Sequence, residues 1–293
     1  MQPTLSIVSI FHNMQREAKR TLFSFSAEYQ QGITDVNYEV IAIDNASSEP
    51  LDKVEVEALG EHYSYHYFKT DSVSPVDAIN YGASLAKGKY LMVLIDGARI
   101  LSPGVIASAM RIAQVYDDPF IYTLGLHLGP DIQNRSIVEG YCQSVEDDLL
   151  TNIDWQNNGY RLFDIAALAG SSAKGFSGPI AESNCFIMPL ASFRGLGGMN
   201  TAFQTPGGGL VNLDFFQQAC HAPSSTPILL LGEGSFHQIH GGVATNVKQE
   251  EHPMPIFEEE YQRIYGKPWV MDTSISPTYF GKLPANCQPF LVV

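Results

Sequence analysis

Residues 77–98 read DAINYGASLAKGKYLMVLIDGA, and this stretch decides the fold. The apolar residues in its first half recur at helical spacing, which predicts a helix over residues 74–87 that ends at Gly88. Residues 89–95, KYLMVLI, then predict a buried strand that runs directly into Asp96. A helix, a strand and an acidic turn therefore follow one another without a linker.

Two further strands are predicted upstream. Residues 5–11, LSIVSIF, are apolar on both faces, as in a parallel strand that is covered on both sides, and residues 38–43 lead into a polar turn at 44–48. A helix is predicted between them, with Gly32 as its stop and with Met14, Ala18, Leu22, Phe25 and Tyr29 on one stripe. Strands that alternate with helices indicate an α/β fold with a parallel sheet.

Parallel sheets bind ligands beyond the carboxyl ends of their strands. By this rule the segments 11–13, 44–45 and 96–99 should converge on one crevice, although they are far apart in the chain. Downstream, residues 120–126 predict another strand, and residues 131–178 predict loops and short helices that shape a substrate cleft.

The predicted domain is divided near Leu128. Residues 1–128 and residues 129–293 are expected to form two halves of the same domain. The apolar ending, residues 289–293, is expected to form a strand packed on the body.

The charge balance excludes one class of partner. The chain has 17 basic and 31 acidic residues, a net charge of -14, and no cluster of Lys or Arg, so nucleic acid is not an expected partner. The first apolar run stops at Phe11, too short for a membrane span, and the four cysteines are scattered without a CxxC pair. A cytoplasmic protein with free thiols and no transmembrane segment is expected.

Three fragments in order carry a resemblance: LSIVSIFHN at 5–13, EVIAIDNASSE at 39–49 and residues 77–98. Together they resemble the nucleotide-binding half of the family 2 inverting glycosyltransferases with the A-type (GT-A) fold. The resemblance implies a Rossmann-like, mostly parallel central sheet with helices on both faces and a smaller acceptor-side subregion. It also implies sugar transfer from a nucleotide-diphosphate donor to an acceptor hydroxyl, with inversion. On this basis residues 1–128 are expected to form the nucleotide-sugar-binding half, and residues 129–293 the acceptor-binding and catalytic half of the same domain.

The same resemblance sets the expected partners. They are a nucleotide-sugar donor, with a UDP-sugar as the first choice, and a carbohydrate or lipid-linked acceptor in surface-polysaccharide synthesis. A peripheral position at the inner membrane face is compatible with that role, and a homodimer stays an open expectation.

Donor-binding residues are carried over from the resemblance. It implies that Asp44 hydrogen-bonds the base or ribose, that Phe11 and Asn13 line the same pocket beside Asn45, and that Asn80 lies nearby. The residues alone leave two interpretations of Asp44: a ligand contact at a strand end, or an Asx turn that caps the following residues.

The acidic motif departs from the family pattern. The family usually has two acids separated by one residue, which hold a divalent cation, but here Asp96-Gly97-Ala98 lacks the second acid. Asp96 can still offer one carboxylate to Mn²⁺ or Mg²⁺ beside the donor phosphates, with Gly97 in the same donor-binding turn. Arg99 is interpreted either as a charge that neutralises the pyrophosphate or as a solvated loop residue.

The second half supplies the base and further metal ligands. Residues 206–216, PGGGLVNLDFF, resemble the family's glycine-rich loop and following helix, which implies Asp214 as the catalytic base. A first-turn helix acid is the alternative for Asp214, and Glu182 is the rival base or an acceptor-hydroxyl ligand. The family often places a histidine as the last metal ligand in the region of residues 229–242.

His237 and His240 both fit that place, and their spacing does not choose between them. A hydrogen-bonded pair in a glycine-rich turn is the alternative, and zinc is not expected because no HExxH or Cys pair completes a set. No GxGxxG or GxxxxGK[ST] occurs, which argues against an NAD-dependent enzyme or a nucleotidyltransferase. A catalytically inactive GT-A-like module that binds nucleotide or sugar stays open, because the second acid is missing.

Overall fold

The computed structural model describes residues 2–292, in which ten strands form a single sheet. In chain order the strands are β1 (Leu5–Phe11), β2 (Tyr38–Asn45), β3 (Tyr63–Phe68), β4 (Tyr90–Leu94), β5 (Arg99–Leu101), β6 (Pro119–Leu128), β7 (Ala166–Leu168), β8 (Cys185–Pro189), β9 (Thr226–His237) and β10 (Thr278–Gly281). The main order across the sheet is β10-β9-β6-β8-β4-β1-β2-β3, with β5 paired to β9 and β7 paired to β6.

Nine α-helices within residues 2–292 flank this sheet. They are α1 (Gln15–Phe23), α2 (Lys53–Glu57), α3 (Val76–Leu85), α4 (Val105–Ile112), α5 (Gln133–Ser136), α6 (Gln143–Asn152), α7 (Leu190–Gly195), α8 (Val211–His221) and α9 (Met254–Tyr265). In the described part of the chain, none of these helices has the length and apolar character to cross a membrane.

The sheet is mostly parallel and is covered on both faces. Strands β1 to β4 pair in parallel, whereas β8 enters antiparallel between β4 and β6. Alternate residues of β1 belong to two cores: Leu5 and Ile7 pack with α1 and α4, while Val8 and Ile10 pack with α3 and α8. Each fully buried side chain of this size stabilises the fold by about 1.5–3 kcal/mol.

Three local predictions were incomplete or wrong. The α1 stripe is buried as expected, but the helix ends at Phe23, and Phe25 and Tyr29 of the stripe lie in the turns that follow it. The edge strand β3 and the short strand β8 were not predicted. Residues 285–290 form a 3₁₀ helix, so the strand predicted over 289–293 is reduced to one antiparallel bridge between Leu291 and Gly175, and Val293 lies outside the described residues.

The topology brings distant segments to one edge of the sheet. Strands β1, β2 and β4 end together because they run parallel and in register. Strand β5 leaves the turn after β4 and pairs antiparallel with β9, so that Arg99 lies opposite His237. The acidic turn and the histidine segment therefore meet. The division of the domain at residue 128 stays a prediction.

Candidate active site

The turn after β4 is fixed by close backbone packing. Gly97 donates from its N–H to Ile10 O at 2.7 Å, and Thr21 Oγ1 donates to Gly97 O at 2.6 Å. A Cβ at position 97 would overlap Ile10 O and the Phe11 ring, so only glycine fits there. Asp96 Oδ1 accepts the Ala98 N–H at 3.0 Å, which leaves Oδ2 for other contacts.

Asp96, His237 and His240 form a compact cluster at this turn. Asp96 Oδ2 lies 2.8 Å from His237 Nε2 and 3.5 Å from His240 Nε2, and the two imidazole nitrogens are 3.2 Å apart. The prediction offered both histidines as ligands without choosing between them, and the structure brings both to Asp96. Within residues 2–292 this is the one group of three acidic, His or Cys side chains whose ligand atoms all lie within 4.8 Å.

The charge states of Asp96 and His237 suit a cation, whereas His240 must lose its proton before it can bind one. Burial lowers the pKa of His237 to about 4, so this ring is neutral at pH 7. Burial opposes ionisation of Asp96, but the two histidines outweigh it and hold the pKa of Asp96 well below its usual range. Burial also opposes the charge on His240, yet the Asp96 carboxylate raises the pKa of His240. A carboxylate oxygen and two imidazole nitrogens are ligands that divalent metals accept.

Arg99 lies beside this cluster as a buried cation. Its exposure is 4%, and its Nε and Nη1 atoms have no hydrogen-bond partner among the described residues. Burial lowers the pKa of Arg99, while the carboxylates of Asp96 and Glu182 act in the opposite direction. Unpaired guanidinium donors are costly to bury, so this position favours an anionic ligand.

Glu182 interacts with the charge of Arg99 and begins a chain of amide hydrogen bonds. Glu182 Oε1 accepts from Asn184 Nδ2 at 3.2 Å, and Asn184 Oδ1 accepts from Asn212 Nδ2 at 2.9 Å. Asn212 Oδ1 is buried and has no partner within residues 2–292. Burial raises the pKa of Glu182, and the charge of Arg99 counteracts this. Asn184 and Asn212 were not predicted as site residues, because isolated Asn residues do not form a motif.

Asp214 makes its hydrogen bonds with residues of α8 and α9. It lies in the first turn of α8, where Asp214 Oδ2 accepts from Tyr265 OH at 2.8 Å and from Gln218 Nε2 at 2.6 Å. The Tyr265 bond joins α8 to α9, whereas the Gln218 bond lies within α8, and none of the bonds of Asp214 among the described residues reaches the Asp96 cluster. Burial raises the pKa of Asp214, although Tyr265 and Gln218 oppose the shift.

The turn after β2 is organised by the side chain of Asp44. Asp44 is fully buried, its Oδ1 accepts the Ser47 N–H at 2.9 Å, and its Oδ2 accepts the Leu51 N–H at 2.9 Å. This is the Asx-type turn that the sequence left open as an alternative. Asn45 follows with a buried Oδ1 that has no partner within residues 2–292.

The other residues predicted to bind the donor have structural contacts of their own. Phe11 is fully buried in the core that includes α1. Asn13, at a φ of 53°, accepts the Glu49 N–H on its Oδ1 at 3.1 Å and so joins the turns after β1 and β2. Both amide atoms of Asn80 bond the backbone of Met199, each at 2.9 Å.

Glu233 lies in β9 and contacts the start of α4. Its carboxylate accepts from Ser102 Oγ, from Tyr160 OH at 2.8 Å and from the Gly104 N–H at 3.2 Å, at the start of α4. Glu233 therefore caps α4 and does not face the Asp96 cluster.

No protein-family model matches the chain, and no curated protein matches it in sequence. Solved structures of S. aureus TarS do match in three dimensions. One aligns with a TM-score of 0.52 at 11% identity over 80% of this chain, which spans 37% of that protein chain.

Two further structures contain residues 1–349 of TarS. The complex with UDP-GlcNAc aligns with a TM-score of 0.53 at 11% identity, over 88% of this chain and 66% of the other. The complex with UDP aligns with a TM-score of 0.51, also at 11% identity, over 80% and 60% respectively. At this identity the likeness concerns the fold alone. Together with the sheet topology, it confirms the predicted α/β fold with a mostly parallel central sheet and helices on both faces.

Proposed function

We propose that this chain is a glycosyltransferase that moves a sugar from a nucleotide-diphosphate donor to an acceptor hydroxyl with inversion at the anomeric carbon. The observation that carries the proposal is the convergence of Asp96, His237 and His240 beside the buried Arg99, at the edge of a GT-A sheet. TarS, which shares the fold, has structures with UDP and UDP-GlcNAc. A UDP-sugar is therefore the first donor to test.

In this proposal Asp96, His237 and His240 hold Mn²⁺ or Mg²⁺. Two imidazole ligands favour Mn²⁺, because Mg²⁺ prefers an all-oxygen shell. The bound cation would offset the negative charge of the diphosphate leaving group. Arg99 adds a second positive charge beside the diphosphate through its unpaired N–H groups. This charge offsets the weaker cation binding expected from the missing carboxylate at position 98.

Glu182 is the proposed base. The acceptor oxygen forms a bond to the anomeric carbon while the bond from that carbon to the diphosphate oxygen breaks, and its electron pair leaves with the diphosphate. Glu182 takes the proton of the acceptor hydroxyl, and the raised pKa that burial gives it suits this task. We favour Glu182 over Asp214 because Asp214 is bonded to α9 while Glu182 faces Arg99.

The nucleoside would lie over the turns after β1 and β2. Asn45 and Asn13 are the proposed contacts there, whereas Asp44 would act by holding the turn in shape. A carbohydrate or lipid-linked acceptor, a role in surface-polysaccharide synthesis and a cytoplasmic location complete the proposal.

Titration calorimetry with UDP, GDP, CDP and NAD, each with and without Mn²⁺, tests the donor site. UDP should bind more tightly with Mn²⁺, and Asp96→Asn should remove the Mn²⁺ dependence, because it replaces a charged ligand by a neutral side chain of the same shape. Release of UDP from a panel of UDP-sugars then tests turnover. Failure of all four nucleotides to bind would overturn the proposal, and binding without any turnover would indicate the inactive module instead.

A further inference from the structure

Two amide side chains behind the Asp96 cluster form a hydrogen-bonded chain that ends on His237: the buried Gln133 of α5 and the half-buried Asn246 of the segment after β9. We infer that this chain holds the His237 ring in the tautomer with its proton on Nδ1, so that the lone pair of Nε2 faces Asp96 and His240. Gln133 and Asn246 are thus positioning residues for a divalent cation.

The orientation of both amides follows from their backbone partners. Gln133 Nε2 lies 3.0 Å from His237 O, and a carbonyl oxygen only accepts, so this end of Gln133 is the NH₂ group. Asn246 Oδ1 lies 2.8 to 3.1 Å from the backbone nitrogens of residues 240–242, which only donate. Its Nδ2 therefore donates to Gln133 Oε1, at 2.9 Å.

The tautomer of His237 follows from these orientations. Gln133 Oε1 is an acceptor and lies 2.8 Å from His237 Nδ1, so Nδ1 carries the proton. A neutral imidazole has one ring proton, which leaves Nε2 as a bare nitrogen 2.8 Å from Asp96 Oδ2. Two acceptors at this distance repel each other unless a cation or a proton from His240 lies between them. Metal-binding histidines commonly have their second nitrogen fixed in this way.

Asn246 also connects His237 to the position of His240. The three N–H groups that it accepts begin with that of His240 and continue through Gly241, which has a φ of 85°. One side chain thus fixes the turn that carries His240 and, through Gln133, the proton of His237. In the metal-free protein the same chain of bonds therefore holds the tautomer of His237 and the backbone turn at His240.

Nitrogen NMR of ¹⁵N-histidine-labelled, metal-free protein tests the tautomer directly. In the unmodified chain, long-range ¹⁵N–¹H spectra should show His237 protonated at Nδ1 and bare at Nε2, with His237→Gln used for assignment. In Gln133→Leu the proton should move to Nε2, where it can donate to Asp96. Mn²⁺ affinity, measured by calorimetry, should then fall about 10–100-fold.

Two further variants separate this role from a general structural one. Asn134→Leu is the matched control, since Asn134 lies in the same helix and holds the same segment through Ala244 O and Val247 O but does not contact His237. It should leave the tautomer unchanged. Gln133→Glu keeps an acceptor opposite Nδ1 and should retain the tautomer, which gives a second test if the leucine variant does not fold.

The tautomer does not depend on the proposed function, whereas the identity of the cation rests on it. A bare Nδ1 on His237 in the unmodified protein would overturn the inference, as would a Gln133→Leu variant with unchanged tautomer and Mn²⁺ affinity. An Nδ1–H tautomer in a protein that binds no Mn²⁺ would support the tautomer assignment and overturn the cation of the proposed function. Mn²⁺ binding without nucleotide binding would support the inference and count against the transferase.

Discussion

At the scale of single residues, the two acidic candidates for the base differ in what their oxygens contact. Glu182 accepts an amide bond from Asn184 and interacts with the guanidinium of Arg99, whereas Asp214 accepts a tyrosine hydroxyl and a glutamine amide. A base needs a free lone pair within reach of the acceptor hydroxyl. Glu182 is therefore the better candidate, because Arg99 in turn interacts with Asp96 of the cluster.

Glu182→Gln and Asp214→Asn form a matched pair that tests this assignment. Glu182→Gln should lower kcat by about 100-fold or more and leave UDP affinity unchanged, because it removes proton transfer without removing the side chain. Asp214→Asn should keep kcat within a few-fold, since its amide can still bond Tyr265. Steady-state kinetics and calorimetry check both, and loss of transfer in Asp214→Asn alone would restore Asp214 as the base.

Arg99 is expected to act on the phosphates of the donor. Arg99→Met should weaken UDP binding about 10–100-fold, because a charge-assisted hydrogen bond contributes about 1.5–3 kcal/mol. Arg99→Lys should weaken it less, since it keeps the charge but loses the planar donor group. Uridine is the control ligand in the same calorimetric titration. If uridine and UDP weakened equally, Arg99 would not be a phosphate contact.

Residue roles were only partly predictable from sequence. The Asp96 turn and His237 could be found because each directly follows an apolar strand, and the strand order brings such ends together. Asn212, Asn184 and Gln133 could not, because isolated amide residues do not form a motif in the sequence. For Asp44 the sequence allowed both a ligand and a turn, and the hydrogen bonds show the turn.

At the scale of elements, the turn after β4 depends on a glycine. Gly97→Ala should lower the free energy of unfolding by about 1–3 kcal/mol, because the new methyl overlaps the end of β1. Gly195→Ala in α7 is the control, since nothing lies within 4 Å of a Cβ there, and it should be neutral or stabilising. Urea denaturation measures both, and equal stabilities would contradict the close packing described for the turn.

The contact between β9 and α4 should make stability depend on pH. Burial raises the pKa of Glu233 above its ordinary value of 4.5, so folding favours the protonated form. Its contribution to stability is then complete below that ordinary value and is lost as the pH rises through the raised pKa. Glu233→Gln cannot ionise and should lack this loss.

Urea denaturation of both proteins at a series of pH values measures the effect. The free energy of unfolding of Glu233→Gln, relative to the unmodified protein, should increase from acidic to neutral pH. A difference that stays constant over that range would contradict the prediction.

Element boundaries were predictable where pattern and capping agreed. Helix α3 and strands β1, β2 and β4 lie close to their predicted ranges because apolar periodicity and Gly88 mark them. Helix α1 is shorter than its apolar stripe, because apolar spacing predicts which residues are buried and not where the helix ends. Strand β8 was missed because five apolar residues give no period.

At the scale of the whole molecule, ligand binding should stabilise the fold. A ligand that binds only the folded chain adds about 2.7 kcal/mol at a free concentration of 100 Kd. UDP with Mn²⁺ should therefore raise Tm, and EDTA should reverse most of the increase. Differential scanning calorimetry measures this, with Asp96→Asn as the control that should lose the EDTA-sensitive part. An equal increase in that variant would place the cation elsewhere.

The burial of the side chain at position 98 also limits which residues this position accepts. Ala98 has no exposed surface and belongs to the core that contains α1 and α4. An aspartate introduced there would bring its charge into an apolar interior, at a cost that a single substitution does not offset. A second acid at this position therefore requires that the neighbouring helices be repacked at the same time.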